Sequence, residues 1–496
     1  MTEDVVIAGA GPNGLFLACE LRRAGVKTVV LERLEEPATV PKANGLVGRV
    51  VQMLDYRGLY ERISGGARPT PAPGYQFAGF PLELRSLGEH PLYVLPIPQR
   101  TLEARLTEIA LELGAEIRRG HEVLSFVQDE EKVTLETNHG TLETRYLVGA
   151  DGGHSTVRKL AGIDFPGTSD DRFTSLSGRV VVDPAVFTAA GEIDTPDGPV
   201  RRLQWHRSPR GAFALGQFTP GPATVSVLEW NRPPVAEDVP VTLEELRAAA
   251  ERVLGRELPI TRPERDDPLA WRRRTGSNAR QADRYREGRV LLVGDAAHVH
   301  PAVGGPGLNL GLQDALNLGW KLAAEVQGRA PAGLLDTYES ERLPLGRRVL
   351  LQTQAQMTLL SPGADVGAVR ELFGELLDEG VVRRRIAELL AGADVHYELN
   401  APAHPLLGNW MPDLPLRADG VSRVAELMRS GRAVLLDFTG ELRGFEHGRV
   451  TYVRAETVEP PANAVLIRPD GFVAWAGGAG LGEALGQWFG AAALPV

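Results

Sequence analysis

The stretch DVVIAGAGPNG at residues 4–14, running on through LFLACELRRAG (15–25) to KTVVLE (27–32), decides the fold. DVVIAG is a short apolar run rich in β-branched residues, which predicts a buried parallel strand over 4–9. Leu15, Leu17, Ala18 and Leu21 lie on or near one face of a helix spanning 13–24, and Gly25 stands where a helix stop belongs. KTVVLE predicts a second strand. The chain therefore opens with a β-α-β unit. Gly9, Gly11 and Gly14 fall between strand and helix, where they permit a tight turn, close approach of a pyrophosphate and close helix–strand packing. The helix N-terminus adds N–H donors and a positive dipole end. Glu32 ends the second strand, eighteen residues beyond Gly14, where a carboxylate accepts hydrogen bonds from a ribose. The pattern points to a dinucleotide, FAD and NAD alike; a glycine-rich structural turn is the competing reading.

Two further stretches read in the same way. RYLVGA (145–150) is a buried strand leading into DGGHSTVR (151–158). Asp151 and Gly152 there would place a carboxylate and bare backbone beside the same cleft; alternatively, Asp151 or Ser155 caps the helix that follows. RVLLVG (289–294) is another buried strand, ending in Gly294-Asp295. An aspartate at a strand end can bond a polyol hydroxyl. Five of the eight positions 301–308 are Pro or Gly, and a helix starts near 308. Gly304, Gly305 and Gly307 let backbone approach a flat ligand, and the helix start presents N–H donors. His298 and His300 lack a third ligand at metal spacing, so hydrogen bonding is the better reading for both.

Elsewhere the pattern predicts a helix over 101–114 and strands over 122–127, 132–137 and 141–148, with a hairpin turn at 138–140. From about 173 to 274, alternating segments at 178–183, 201–206, 211–218 and 223–230 predict an antiparallel sheet. A helix over 242–255 interrupts it, with Thr242 as N-cap and Glu245 as capping-box partner. Arg272 to Arg274 read as a solvated face. Helices dominate 308–392, the Pro-containing stretch 401–416 reads as a linker, and strands at 433–437, 464–468 and 472–475 with a helix near 481–489 end the chain. Trp205, Gln217 and Trp230 are substrate-facing candidates by type and strand position, and Phe77 and Phe80 could border the same pocket. Packing is the competing reading for each.

Composition narrows the classes. The 496 residues carry a formal net charge of −10 and no Lys/Arg cluster, which disfavours nucleic acid and anionic membranes as partners. Cys19 is the single cysteine, so no intrachain disulfide or thiolate metal cluster is expected, in keeping with a cytoplasmic location. No apolar run approaches the length of a membrane span, and the acidic start does not read as a signal peptide. No nucleophile-elbow, zincin or Walker motif occurs. Gly (56) and Pro (36) approach a fifth of the chain, below the share typical of low-complexity disorder.

The three motifs, in this order and spacing, resemble the FAD-dependent aromatic hydroxylases, the group A flavoprotein monooxygenases, over about residues 1–400. PIPQRTLEARL (96–106) matches the segment where that family places a glutamine beside FAD. YLVGADGGHSTVR (146–158), DRYREGRV (283–290), LLDTYESERLP (334–344) and VLIRPDGFVAW (465–475) resemble the subgroup that acts on aromatic polyketides or inactivates rifamycins.

The resemblance implies an α/β fold. A Rossmann-like FAD-binding domain (GR2 type) would take 1–75, 97–172 and 275–395. An antiparallel β-sheet substrate domain would take 76–96 and 173–274, and a thioredoxin-like domain 396–496. It implies that Gly9, Gly11 and Gly14 bind the pyrophosphate, that Glu32, with Arg33 beside it, meets the adenosine ribose, and that Lys42 (usually arginine) or Arg49 meets phosphate. Gln99, Asp151, Gly152 and Gly294 would adjoin the cofactor and Asp295 would hold the ribitol. Pro301, Gly304, Gly305, Gly307, Leu308 and Asn309 would wrap the isoalloxazine, with Pro301, Gly304 and Gly305 nearest the chemistry. Pro306 departs from a common glutamine. The tail has no CxxC, so its role would be packing or dimer contacts, with a homodimer as the partner.

The implied chemistry is reduction of FAD by NAD(P)H, NADPH being favoured, then oxygen transfer through a C4a-hydroperoxyflavin. The expected substrate is a multi-ring aromatic natural product, hydroxylated or otherwise oxygenated. Oxidative inactivation of an antibiotic such as a rifamycin is the alternative. A non-oxygenating flavin-binding or ligand-sequestering protein is the reading from another class.

Overall fold

The computed structural model describes residues 2–490 apart from 39–42, 67, 218–221, 234, 237, 265–269, 400–402, 419 and 443–444. The opening β-α-β unit forms as its pattern dictates. Val5, Val6 and Ile7 of strand Glu3–Ala8 are inaccessible to solvent, and helix Pro12–Arg23 buries Leu15, Phe16, Leu17 and Leu21. Four strands align in parallel: Val290–Leu292, Gly140–Gly149, Glu3–Ala8 and Thr28–Glu32, with Glu116–Arg119 as a further parallel neighbour. Val290–Leu292, Glu3–Ala8, Thr28–Glu32 and the end of Gly140–Gly149 are buried and read as apolar runs rather than alternating ones, whereas the edge strand Glu116–Arg119 is polar. All run the same way, so their carboxyl ends meet at one crevice.

The second sheet is antiparallel, in the order Trp205–Ser208, Gly211–Gly216, Ala223–Trp230, Gly167–Val182, Arg272–Gln281, His298–Val299. Its last pairing, Arg280 with Val299 and Gln281 with His298, stitches it to the segment leading into the 301–309 loop. Helix Leu243–Leu254 packs on this sheet, and Thr242 caps it by accepting from the Glu245 N–H at 3.1 Å. The capping box is only half formed. The Glu245 carboxylate turns instead to Arg273 Nη2, at 2.5 and 2.6 Å. Arg273 is buried, so Arg272–Arg274 is not a solvated run: alternation along the strand sends Arg273 inward and Arg274 to the crevice.

The tail forms a sheet in the order Val450–Arg454, Ala433–Asp437, Ala464–Ile467, Val473–Ala476, with the first pair parallel and the others antiparallel. Helix Leu481–Phe489 covers it, giving a thioredoxin-like arrangement. Strand Val450–Arg454 is short and only partly buried, with Val450 and Tyr452 turned to the tail's apolar cluster, too brief an alternation to stand out in the sequence. The described part of 401–416 is not a loose linker. Tyr56 OH donates to the Met411 carbonyl at 2.8 Å, and the Trp410 ring packs 4.9 Å from Tyr56.

A buried ionic cluster fastens the tail to the helices. Glu341 accepts from Arg468 (2.7 and 2.8 Å) and from Lys321 (2.7 Å), and Trp320 Nε1 donates to Asp470 at 3.1 Å. Burial pulls the Lys321 ammonium down to about 8 despite Glu341 beside it. Glu341→Ala would leave two buried cations without their shared carboxylate, and should cost about 3–5 kcal/mol in denaturant titration. Glu112→Ala, which breaks the exposed pair with Arg62, should cost about 1 kcal/mol at most.

Candidate functional site

The strand ends frame a cleft of about 1370 Å³ that runs from Gly11 and Glu32, past Gln99 and Asp151, to Asp295, Gly305 and Leu308. Three glycines of the first turn serve different ends. A Cβ on Gly9 (φ +111°) would stand 2.4 Å from the Ala150 carbonyl oxygen, and one on Gly14 would stand 2.1 Å from the Gly9 carbonyl oxygen. Both are required by chain packing. Gly11 has φ −73° and ψ 174°, open to any residue, and its Cβ would touch nothing within 4 Å. That bare backbone borders the cleft, at the start of a helix that no side chain caps.

Glu32 ties the same turn, accepting from the Ala10 N–H at 2.9 Å and the Leu34 N–H at 3.0 Å. A carboxylate has about four lone-pair positions, so acceptor capacity remains for a hydroxyl. Arg33 lines the cleft. Lys42 lies outside the described residues. Arg49 does not reach the cleft. Its guanidinium donates to Gln52 at 2.7 Å and lies 5.2 Å from the Trp410 ring, where burial pulls it down to about 10. Gln99 lines the cleft at a helix start, accepting from the Ala43 N–H at 3.4 Å and donating to Glu103 at 2.8 Å.

Asp151 sits at the cleft, but its carboxylate is spent on structure. It accepts from Ser155 Oγ (2.5 Å), Thr156 N–H (2.7 Å) and Val157 N–H (3.1 Å), while Ser155 caps the helix. The capping reading holds for both residues, leaving Gly152 (φ +84°) as the open backbone there. Asp295 is the opposite case: it is exposed to the cleft, and its carboxylate has no partner among the described residues. Gly294 beside it (φ +65°) admits the Asn13 amide, which a Cβ would meet at 2.1 Å.

The 301–309 loop divides into an outer and an inner set. Gly305, Gly307 and Leu308 line the cleft. Pro301 and Asn309 are buried. Asn309 Oδ1 accepts from the Val47 N–H at 3.0 Å and its Nδ2 donates to the Gly305 carbonyl at 2.7 Å, so its amide clamps the loop and keeps one N–H and one lone pair. Gly304 faces Gln356, and its carbonyl accepts from Tyr75 OH at 3.2 Å. Burial pushes that phenol up to about 12, so it stays a donor. His300 Nδ1 bonds the Pro301 carbonyl at 3.0 Å, and burial lowers its pKa, keeping the ring neutral. Helix Pro306–Val326 then starts with Gly305 as N-cap and Pro306 at N1, with no side-chain cap. Pro306 costs the helix no donor, because the first N–H groups have no intrahelical partner.

The substrate candidates are displaced from the cleft. The Phe77 ring packs 5.6 Å from Phe373, and Trp230 packs 5.6 Å from Phe173. Trp205 joins the same apolar cluster. Gln217 is not among the lining residues; Arg202, which is, donates its Nη1 to it at 3.1 Å. Tyr75, Leu82, Val94, Arg202 and Arg274 line that end instead. Only the Gly/Pro-rich setting around 74–82 hinted at any of them; the rest converge from separate strands. Among the described residues no cluster of three or more His, Cys, Asp or Glu could hold a metal, and no helix is long and apolar enough to cross a membrane.

Comparison with known proteins accounts for this arrangement. Residues 2–353 match the FAD binding domain family, and 404–492 match the aromatic-ring hydroxylase C-terminal family. The chain is 42% identical, over 100% of both chains, to the 12-dehydrotetracycline 5-monooxygenase/anhydrotetracycline 6-monooxygenase of Streptomyces rimosus. It is also 42% identical, over 99% of both, to the rifampicin monooxygenase of Streptomyces venezuelae. The solved Diels-Alderase of pyrroindomycin biosynthesis superposes with a TM-score of 0.86 at 38% identity, over 99% of this chain and 100% of that one.

The open cradle at Gly11, the two uncapped helix starts and the unpartnered Asp295 carboxylate suit FAD. Gly11→Ala should leave the apoprotein as stable, or stabilise it by about 0.4–1 kcal/mol, because its backbone angles suit alanine. The same change should weaken FAD binding at least tenfold in a fluorescence titration, since the added methyl occupies the cleft. Asp295→Ala should weaken FAD by about 1.5–3 kcal/mol, the worth of a hydrogen bond to a charged group. Unchanged FAD affinity in either variant would place the cofactor elsewhere. Fold, site and relatives agree: the chain belongs to the FAD-dependent aromatic-ring hydroxylases and is a flavin monooxygenase.

Proposed function

We propose that this monooxygenase hydroxylates a multi-ring aromatic substrate of the polyketide type, using NADPH and O2. The observation that carries the reading is the size and division of the cleft. At about 1370 Å³ it exceeds the roughly 300–1,000 Å³ usual for a single small-molecule site. One end has the features of a dinucleotide cradle. The other, between the hairpin strands Gly74–Phe77 and Phe80–Glu83 and the antiparallel sheet, is lined by Tyr75, Leu82, Val94, Leu203 and three arginines, Arg201, Arg202 and Arg274. A flat polycyclic phenol suits such walls, with apolar faces for the rings and guanidinium groups for ring oxygens. The tetracycline-acting relative supports a substrate of this kind.

In this reading the N–H groups at Gly11 face the pyrophosphate, Glu32 the ribose, Asp295 the ribitol and Gly305–Leu308 the flavin ring. FAD supplies the hydride acceptance and oxygen activation when bound. The chain's own task is to bind, orient and keep water out. The N–H groups of Gly307 and Leu308, at an uncapped helix start, favour negative charge at the loop. Tyr75 holds the loop closed from the substrate side through Gly304.

The rifampicin-acting relative favours oxidative inactivation of an antibiotic as a second reading, with the same oxygenation and a different biological use. The Diels-Alderase neighbour shows that this fold also hosts a non-oxygenating activity. One experiment separates them. Tricyclic and tetracyclic phenols should stimulate NADPH oxidation and oxygen uptake and yield products heavier by one oxygen atom. If rifampicin alone gave an oxygenated product, the second reading would stand; if no aromatic compound stimulated oxygen uptake, oxygenation itself would be wrong.

A further inference from the structure

Between Asp295 and the 301–309 loop, one ionisable side chain lines the cleft: His300. We infer that His300 is a proton acceptor matched to the negative charge that reduction brings to the loop, so that His300 Nε2 gains a proton as the flavin gains two electrons. The inference rests on the proposed placement of the flavin at Gly305–Leu308.

Three observations carry it. First, one ring nitrogen is committed and the other is not. Nδ1 lies 3.0 Å from the Pro301 carbonyl, which can only accept, so Nδ1 carries the proton and the neutral ring presents its lone pair at Nε2. Nε2 has no partner among the described residues. Second, that lone pair stands at the uncapped start of helix Pro306–Val326. A Cβ on Gly307 would meet Nε2 at 2.6 Å and Cε1 at 2.9 Å, so the helix presents only backbone where the ring packs on it. Gly307 lines the cleft, and the free N–H groups of such a start draw an anion to the same place. Third, the charges around the ring leave it responsive. Burial lowers its proton affinity and His298, held by Asp314, lowers it further, while the Pro301 carbonyl and the Asp295 carboxylate raise it. The balance favours the neutral ring until a further negative charge arrives beside Nε2.

A permanent charge, such as that of a pyrophosphate, suits fixed N–H donors. A charge that comes and goes with each turnover suits a histidine, whose own charge changes near neutral pH. Hydride transfer from NADPH brings two electrons and one proton, and leaves the reduced flavin with one negative charge. His300 Nε2 takes one further proton from solvent through the cleft and releases it when O2 reoxidises the flavin. The sum of the reductive half is NADPH and one solvent proton in and NADP+ out, with flavin anion and imidazolium left as a neutral pair.

The test uses the FAD-bound enzyme and needs no aromatic substrate. His300→Asn keeps an amide nitrogen within reach of the Pro301 carbonyl and removes the Nε2 site. Midpoint potentials, from anaerobic titration with dithionite at several pH values above neutral, count the protons. A tenfold change in proton concentration shifts a two-electron potential by about 29.6 mV for each proton taken up. The wild type should take up two protons and His300→Asn one, so the slope halves, while the FAD dissociation constant of the oxidised enzyme should not change. Nitrogen-15 NMR needs no variant: the His300 ring should be the neutral Nδ1–H tautomer in the oxidised enzyme and doubly protonated in the reduced one. Equal slopes in the two proteins, or a ring that stays neutral on reduction, would overturn the inference. Ring signals that do not move when FAD is added to the apoprotein would overturn the flavin placement with it. Signals that move with FAD but show a neutral ring after reduction would overturn the inference alone. An enzyme with the expected slopes that hydroxylates no aromatic compound would refute the proposed function and leave the role of His300 standing.

Discussion

The cleft depends on one buried carboxylate. Asp314, within helix Pro306–Val326, accepts from Arg342 Nε at 2.7 Å, His298 Nε2 at 2.7 Å and the Gly294 N–H at 3.4 Å. Burial alone would raise its pKa, but Arg342 and His298 more than offset this and hold it below the usual carboxylate range. A buried charge is tolerated only with its partners in place, since the penalty is several kcal/mol per ion. The three donors come from a strand-end turn, the strand before the loop, and helix Thr337–Leu360. Satisfying one carboxylate therefore locks together the elements that carry Asp295 and the 301–309 loop. Asp295, next to Gly294, is left facing the cleft with no hydrogen-bond partner among the described residues.

The cleft has two helix starts built alike. Gly11-Pro12 and Gly305-Pro306 each place a glycine at the N-cap and a proline at N1, and neither has a side-chain cap. Helix ends normally recruit a serine, threonine or aspartate for that purpose, as Thr242 and Ser155 show elsewhere in this chain. Leaving both ends uncapped keeps N–H groups and positive dipole ends free at the cleft, where they favour negative charge. Pro306 thus repeats the solution already used at Pro12.

The tail is held by a different kind of contact. Arg468 is inaccessible to solvent, wedged between Glu341 and Asp470 with the Trp488 ring 4.4 Å from its guanidinium. Arg57 adds a second anchor, pairing with Glu20 and donating to the Met428 and Pro469 carbonyls. Such paired, fully bonded ions are specific in geometry because any slippage strands a charge. Through these contacts the tail packs against the helices behind the cleft.

Much of this was legible beforehand. Strand Glu3–Ala8, helix Pro12–Arg23 and strand Thr28–Glu32 follow from local pattern, because buried parallel strands and the helix between them must be apolar in fixed periods. Gly9, Gly11, Glu32 and Asp295 could be picked out because they stand just past such strands. The end of the cleft beside the antiparallel sheet was not legible. Phe77, Trp205 and Trp230 have the residue types of a pocket but turn into the core, while Tyr75, Arg202 and Arg274, on segments far apart in the chain, meet at the cleft. On a strand, a shift of one residue exchanges the two faces, so type alone does not say which side a residue serves. Nor does spacing reveal that Asp151 accepts from Ser155 and the helix start after it, or that Asn309 clamps the loop. By itself the sequence determined most of the order of elements and the strand ends that border the cleft, both set by local periodicity. The tertiary structure alone decided which side chains are free to meet a ligand, because that depends on partners brought together from distant parts of the chain.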